Sequence, residues 1–206
     1  MRIGIIGSGS IGATSARLLA VAGHDVALAN SRGPETLAGL VGELGDRARA
    51  ETVEGAASFG DVVLVAIPFR RYTDLPAAQL TGKIVIDAGN YYPNRDGHDA
   101  ALDTDETTSS ELLAELIPEA RVVKAFNTLY WEHLRDNAAP AAGAERRALF
   151  IAGDDREAKD RVAALIADIG YAPVDVGSLA EGGRRLQPGA PLSGTLLTEA
   201  EASAKV

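Results

Sequence analysis

The chain carries no cysteine in its 206 residues. That absence excludes disulfides, thiolate nucleophiles and cysteine-ligated metals together, and it is compatible with a reducing cytoplasm. Long apolar runs are missing too. None approaches the roughly 20 residues that a membrane-spanning helix needs, and the opening MRIGIIG is too short and too glycine-rich for a signal peptide. The expectation is a soluble, cytoplasmic protein with no membrane partner. Positive charge is in short supply, with 20 Lys and Arg against 29 Asp and Glu and a net charge of −9. Nucleic acid is therefore an unfavourable partner. The three histidines, His24, His98 and His133, lack metal-ligand spacing, so no metal is expected. A GxSxG elbow, a GxxxxGK(S/T) loop and a YxxxK pair are all absent. Nucleophile-elbow hydrolases, P-loop enzymes and short-chain dehydrogenases each lose their motif.

What the sequence has in quantity is short apolar runs alternating with helix-like stretches. Arg2–Ile6, Asp25–Ala29, Arg47–Glu51, Val62–Ile67, Lys83–Asp87, Arg121–Ala125, Ala148–Ala152 and Tyr171–Val176 read as strands. Ile11, Ser15, Leu18, Leu19 and Ala22 mark one helix face, and further helices are expected at Pro34–Leu44, Ser109–Leu116, Tyr130–Arg135 and Asp155–Ile169. Val62–Ile67 is apolar on both faces, as a central parallel strand covered above and below should be. The alternation implies an α/β fold over residues 1–176, a doubly wound and mostly parallel Rossmann-like sheet. Residues 177–206 are expected to form an irregular C-terminal extension that completes the pocket or a dimer contact. Tyr91–Thr108 is expected to be a long polar surface loop beside a site.

Gly7, Ser8, Gly9, Ser10, Ile11 and Gly12 give the spacing GxGxxG between the first strand and the first helix. In that position Gly7 permits a tight turn, Gly9 lets backbone approach a pyrophosphate, and Gly12 lets helix and strand pack closely. The helix N-terminus then offers unpaired N–H groups to the anion. About twenty residues further on, where an acid would hold the ribose diol of NAD, stand Asn30, Ser31 and Arg32. Without the acid a 2′-phosphate meets no repulsion, and a guanidinium can grip it bidentately. The reading is NADP(H) in preference to NAD.

Hydride transfer needs two rings held together in a dry pocket more than it needs an acid or a base, so no catalytic side chain is expected. Ala66, Ile67 and Pro68 end one strand, Asn90 follows another, and Ala125 and Asn127 close a third. These residues are the candidates to line the nicotinamide, with the two asparagines as amide hydrogen-bonders. Lys124 reads as a strand-end lysine that snorkels to water. Arg70, Arg71, Arg184 and Arg185 are candidate rim cations for an anionic second substrate.

The ordered set GSGSIG (Gly7–Gly12), NSR (Asn30–Arg32), VAIPF (Val65–Phe69), DAGN (Asp87–Asn90), KAFNT (Lys124–Thr128) and VDVGSLAEGGR (Val174–Arg184) resembles the F420-dependent NADP oxidoreductase family over essentially the whole chain. KAFNT is also similar to the cytoplasmic reductase domains of metalloreductase membrane proteins. The resemblance implies a homodimeric Rossmann-like enzyme that moves hydride between C4 of NADPH and C5 of the deazaflavin F420. It implies that Ser8, Ser10, Ile11, Ser31 and Arg32 hold the NADP phosphates and that Ala66 and Pro68 lie along the nicotinamide. NADP(H) is the first cofactor so implied and F420 the second. Two other readings stand beside it: an NADPH-dependent reductase of a flavin, ferric chelate, quinone, imine or ketone, and a non-catalytic NADP(H)-binding redox sensor.

Overall fold

The computed structural model describes residues 1–138 and 145–206. Eight strands form one sheet: β1 (Arg2–Ile6), β2 (Asp25–Ala29), β3 (Ala48–Ala50), β4 (Val62–Val65), β5 (Ile84–Asp87), β6 (Arg121–Lys124), β7 (Ala148–Gly153) and β8 (Ala172–Asp175). Their spatial order is β3-β2-β1-β4-β5-β6-β7-β8. Pairing is parallel throughout except between β6 and β7. The fold is thus the α/β, doubly wound, Rossmann-like sheet. Its order reverses between β1 and β4, where open sheets of this kind form a crevice beyond their carboxyl ends.

Alternate residues of the strands feed two cores. Ile3, Ile5, Val26, Leu28, Val62 and Leu64 face the helices Ser10–Val21 and Arg156–Asp168, which contribute Ala16, Leu19, Val162 and Leu165. Val63, Val65, Val85 and Val122 face the opposite side, under Leu113 of the helix Ser109–Leu116. Each such side chain, once buried, contributes about 1.5–3 kcal/mol. A strand apolar on both faces has no stable place except between two helical layers.

Several expectations need correction. Tyr91–Thr108 is not an unstructured loop. It holds two short helices, Pro93–Asp96, opened by a proline at its first turn, and Ala100–Asp103, capped by the Asp99 carboxylate. The chain beyond Val176 is not irregular either, since Glu181–Leu186 and Glu199–Ser203 are helical. Leu186, Leu192 and Ala202 of this segment cover Ala148, Phe150 and Val174 on the outer face of β7 and β8. The stretch expected as one helix from Pro34 begins as a 3-10 turn, Pro34–Leu37, and becomes α-helical at Ala38–Leu44. A helix at Val53–Phe59, capped by Thr52, went unforeseen.

Candidate active site

Two cavities meet above the carboxyl ends of β1 and β4. The first, of about 420 Å³, is lined by Gly7, Ser8, Gly9, Asn30, Ser31 and Arg32, with Val53, Arg71, Asp74 and Leu75 opposite. The second, of about 380 Å³, is lined by Gly9, Ser10, Ile11, Ala88–Asn90, Tyr92, Arg95, Phe126–Trp131, Ser193 and Gly194. Gly9, Ala66, Ile67 and Pro68 belong to both and form the ridge between them.

The glycine loop takes its shape from close approaches. Gly7 has φ +109°, and a Cβ there would strike the Ala66 carbonyl. A Cβ on Gly12 would collide with the Gly7 carbonyl. Gly12 therefore lines neither cavity and serves helix–strand packing. Around Gly9 no atom lies within 4 Å of a would-be Cβ. The loop is open just where a phosphate would approach backbone.

Asn30 is committed to the loop itself. Its Nδ2 donates to Ser8 Oγ at 3.1 Å and Thr36 Oγ1 at 3.0 Å, while its Oδ1 accepts from the Arg32 N–H at 2.9 Å. It ties the glycine loop to the Ser31–Arg32 turn, which stands exposed at the cavity edge. Arg32 makes no ion pair among the described residues, so its guanidinium is available to an anion. Arg71 also lines this cavity, with its Nε 2.6 Å from Asp74.

In the second cavity Asn90 and Asn127 form a reciprocal pair. Asn90 Nδ2 donates to the Asn127 carbonyl at 2.9 Å, and Asn127 Nδ2 donates to Asn90 Oδ1 at 3.0 Å. Asn127 Nδ2 also holds the Leu186 carbonyl at 2.8 Å, and the Gly194 N–H donates to the Thr128 carbonyl at 2.8 Å. The C-terminal segment is thereby pinned as one wall of this cavity without filling it. Asn127 Oδ1 is buried and has no partner among the described residues. Phe126, at φ +64°, is one of two non-glycine residues in the left-handed region among those described. Strain of this kind is concentrated at functional sites. Ala125 lies fully buried behind it and lines neither cavity.

Beneath the second cavity lies a dry polar cluster. The Lys124 ammonium is 2.9 Å from Asp87 Oδ2 and 2.6 Å from the Gly89 carbonyl. Asp87 also accepts from Ser110 Oγ at 2.7 Å, from the Gly89 N–H at 2.9 Å and from the Tyr72 hydroxyl. Lys124, expected to snorkel, is instead 1% exposed. The reason is that the turn after β5 offers it a carboxylate and a carbonyl. Burial, and then the Asp87 charge, pushes the Tyr72 hydroxyl well above its ordinary pKa, so it stays a donor. The cluster fixes Gly89 and with it the cavity floor.

None of Arg70, Arg71, Arg184 and Arg185 lines the second cavity. Arg70 borders Phe69 and Leu112, and Arg184 and Arg185 border Gln187–Pro191. Arg95 does line it, a residue that sequence reasoning missed along with Tyr130 and Ser193; Phe126 and Trp131, which the sequence left open between ring contact and ordinary packing, line it too. No local motif marked the three missed residues, because they come from separate segments: Arg95 from the short helix Pro93–Asp96, Tyr130 from the start of the helix Trp131–Asp136 and Ser193 from the C-terminal segment.

A protein-family model described as "NADP oxidoreductase coenzyme F420-dependent" matches residues 2–91. A hypothetical protein from Sinorhizobium meliloti is 36% identical and superposes with a TM-score of 0.84, covering 97% of this chain and 95% of that one. A protein from Arthrobacter sp. FB24, titled as an F420-dependent NADP-reductase, is 27% identical with a TM-score of 0.73, covering 88% and 87% of the two chains. Metalloreductase STEAP3 of Rattus norvegicus is 36% identical over 87% of this chain. That match covers 34% of STEAP3, so the chain spans about a third of the metalloreductase's length. The glycine loop, the acid-free turn after β2 and these likenesses converge: residues 2–91 match the F420-dependent NADP oxidoreductase family, and the chain is an NADP(H)-dependent oxidoreductase.

Proposed function

We propose that this enzyme passes a hydride between NADPH and the deazaflavin coenzyme F420. The observation that carries the reading is the ridge Gly9–Ala66–Ile67–Pro68, shared by two cavities of similar size. A nicotinamide laid along it would present one face to the second cavity, where another planar ring could lie. The Gly7–Gly12 loop would hold the pyrophosphate through backbone N–H groups, with Ser8, Ser10 and Ile11 around it. Ser31 and Arg32 would hold the 2′-phosphate. Residues 177–206 complete the pocket by supplying Ser193 and Gly194.

When bound, NADPH supplies the hydride from its C4. The acceptor ring takes it with one solvent proton, and NADP+ remains. The protein's part is to orient the two rings and to exclude water. The test is direct: the protein is mixed with NADPH and F420, and the deazaflavin absorbance is followed. Bleaching at catalytic protein concentration is expected; an unchanged spectrum with NADPH demonstrably bound overturns the reading.

A second reading keeps the NADPH site and replaces F420 by a flavin or a ferric chelate. The identity to a metalloreductase over most of this chain favours it. NADPH oxidation driven by those acceptors, with F420 inert, would establish it.

A further inference from the structure

We propose that the second cavity selects its hydride acceptor by a fused aromatic ring and is indifferent to the charge of the acceptor's tail. This rests on the reading of the cavity as the acceptor site. Every exposed aromatic side chain among the described residues stands on its rim: Tyr92 at 43%, Tyr130 at 68% and Trp131 at 36%. Three large apolar surfaces left in water around one opening carry a free-energy cost that a stacked ring would relieve.

The charges around the cleft are partitioned. Arg32 and Arg71 lie on the nucleotide side. On the acceptor side the one charged lining residue among those described is Arg95, and its guanidinium already has its charge matched by a neighbouring carboxylate. It donates to both oxygens of Asp96, at 2.9 and 2.7 Å, and to the Asn90 carbonyl, and it lies over the Tyr92 ring. Asp96 has no exposed side-chain surface, so it cannot let the arginine go without leaving a buried carboxylate unpaired. Residues 139–144, Ala-Pro-Ala-Ala-Gly-Ala, add no ionisable side chain. Arg135, which lies over the Trp131 ring, is likewise paired, with Asp136 at 2.6 Å, so a phosphate or carboxylate on the acceptor meets no unpaired cation among the described residues of this rim.

Trp131 is the only tryptophan of the chain, so its emission reports a ring arriving at the rim. The protein, saturated with NADP+, is titrated with four probes: riboflavin, FMN, the tail-less deazaflavin chromophore and F420. Quenching is expected, and within each ring type the charged and uncharged probes should differ in Kd by less than about threefold. Tyr130→Ala should weaken every probe by about tenfold, the order of one aromatic stack, with NADPH affinity unchanged. Arg95→Gln should move the charged and uncharged members of each pair alike. A preference of about tenfold or more for FMN over riboflavin, or for F420 over its tail-less form, would mean a charge-assisted contact and overturn the proposal. Absence of quenching by all four would overturn it as well. Quenching without reduction of F420 would leave ring recognition standing and sink the F420 reading alone.

Discussion

Lys124 and Asp87 form an ion pair at 2.9 Å, each side chain shut off from solvent, on adjacent strands directly below the acceptor cavity. A buried pair gains little over an apolar replacement, but breaking it is costly because one charge is stranded. Lys124→Met should therefore destabilise the protein by about 3–5 kcal/mol, measured by urea denaturation. Asp87→Asn combined with Lys124→Met should recover a large part of that loss. If the double variant is as unstable as the single one, the pair is not what holds Gly89 and the turn after β5.

Most of the sheet was legible in the sequence because a strand buried on both faces leaves no alternative to an unbroken apolar run. β4 and β5 are of this kind. The C-terminal helices were less visible, although Thr198 and Glu201 carry the spacing of a capping box and form one. Glycines and prolines at 177, 182, 183, 188, 189, 191 and 194 masked it. That Gly7–Gly9 and Asn30–Arg32 would gather around one cavity was readable from local motifs. The other cavity was less so, since Arg95, Trp131 and Ser193 converge from three separate segments, two of them short helices. Lys124 was misread because its partner lies 37 positions earlier and no local pattern links them.

The second and third glycines of the loop, Gly9 and Gly12, should separate binding from folding. Gly12→Ala places a methyl against the Gly7 backbone carbonyl, a group that cannot rotate out of the way. It should cost at least about 1–3 kcal/mol, as overpacking does. Gly9→Ala meets nothing within 4 Å in the protein itself. Its stability should stay within about 1 kcal/mol of the parent, whereas NADPH affinity should fall by an order of magnitude or so because the methyl occupies the anion's approach. Thermal melts and NADPH titrations on both variants check the contrast. Equal NADPH affinity in Gly9→Ala would place the phosphate elsewhere.

Arg32 should decide between the two nicotinamide nucleotides. Arg32→Ala removes a free guanidinium at the cavity edge, and charge-assisted contacts of this type are worth about 1.5–3 kcal/mol. NADPH binding should weaken by roughly 10- to 100-fold while NADH binding changes little. Parallel titrations with the two nucleotides measure it. An equal loss for both would mean that Arg32 touches the shared part of the molecule and not the 2′-phosphate.

Burial alone would raise the Asp96 carboxyl, but the hydrogen bonds from Arg95 and from the Tyr92 N–H outweigh it and hold the group below the usual carboxylate range. In the unfolded chain an aspartate titrates near 3.9. Near that pH the unfolded state binds more protons than the folded one. The pair's contribution is thus fully present above about pH 4 and is lost as pH falls through the lower folded value. With Arg95 partly in water, it should amount to less than about 1 kcal/mol. Asp96→Asn should lower the melting temperature at pH 7 and flatten its decline below pH 4. A variant whose acid limb matches the parent's would remove Asp96 from the acid response.

Arg71 and Asp74 line the nucleotide cavity as a pair, with 2.6 Å between Nε and carboxylate. Both are about half exposed, so the ion pair adds little stability. Its effect should fall on the ligand. Asp74 sets a negative charge beside the cavity proposed to take NADPH, and it occupies one of the two arginines there. Asp74→Asn should tighten NADPH by several-fold at low ionic strength, and the gain should shrink as salt rises and the Debye length shortens from about 30 Å at 0.01 M to about 8 Å at 0.15 M. Arg71→Ala should weaken NADPH with the same salt dependence. If Asp74→Asn leaves NADPH affinity unchanged at both salt concentrations, the nucleotide's phosphates lie beyond the reach of this pair and Arg32 meets the 2′-phosphate alone.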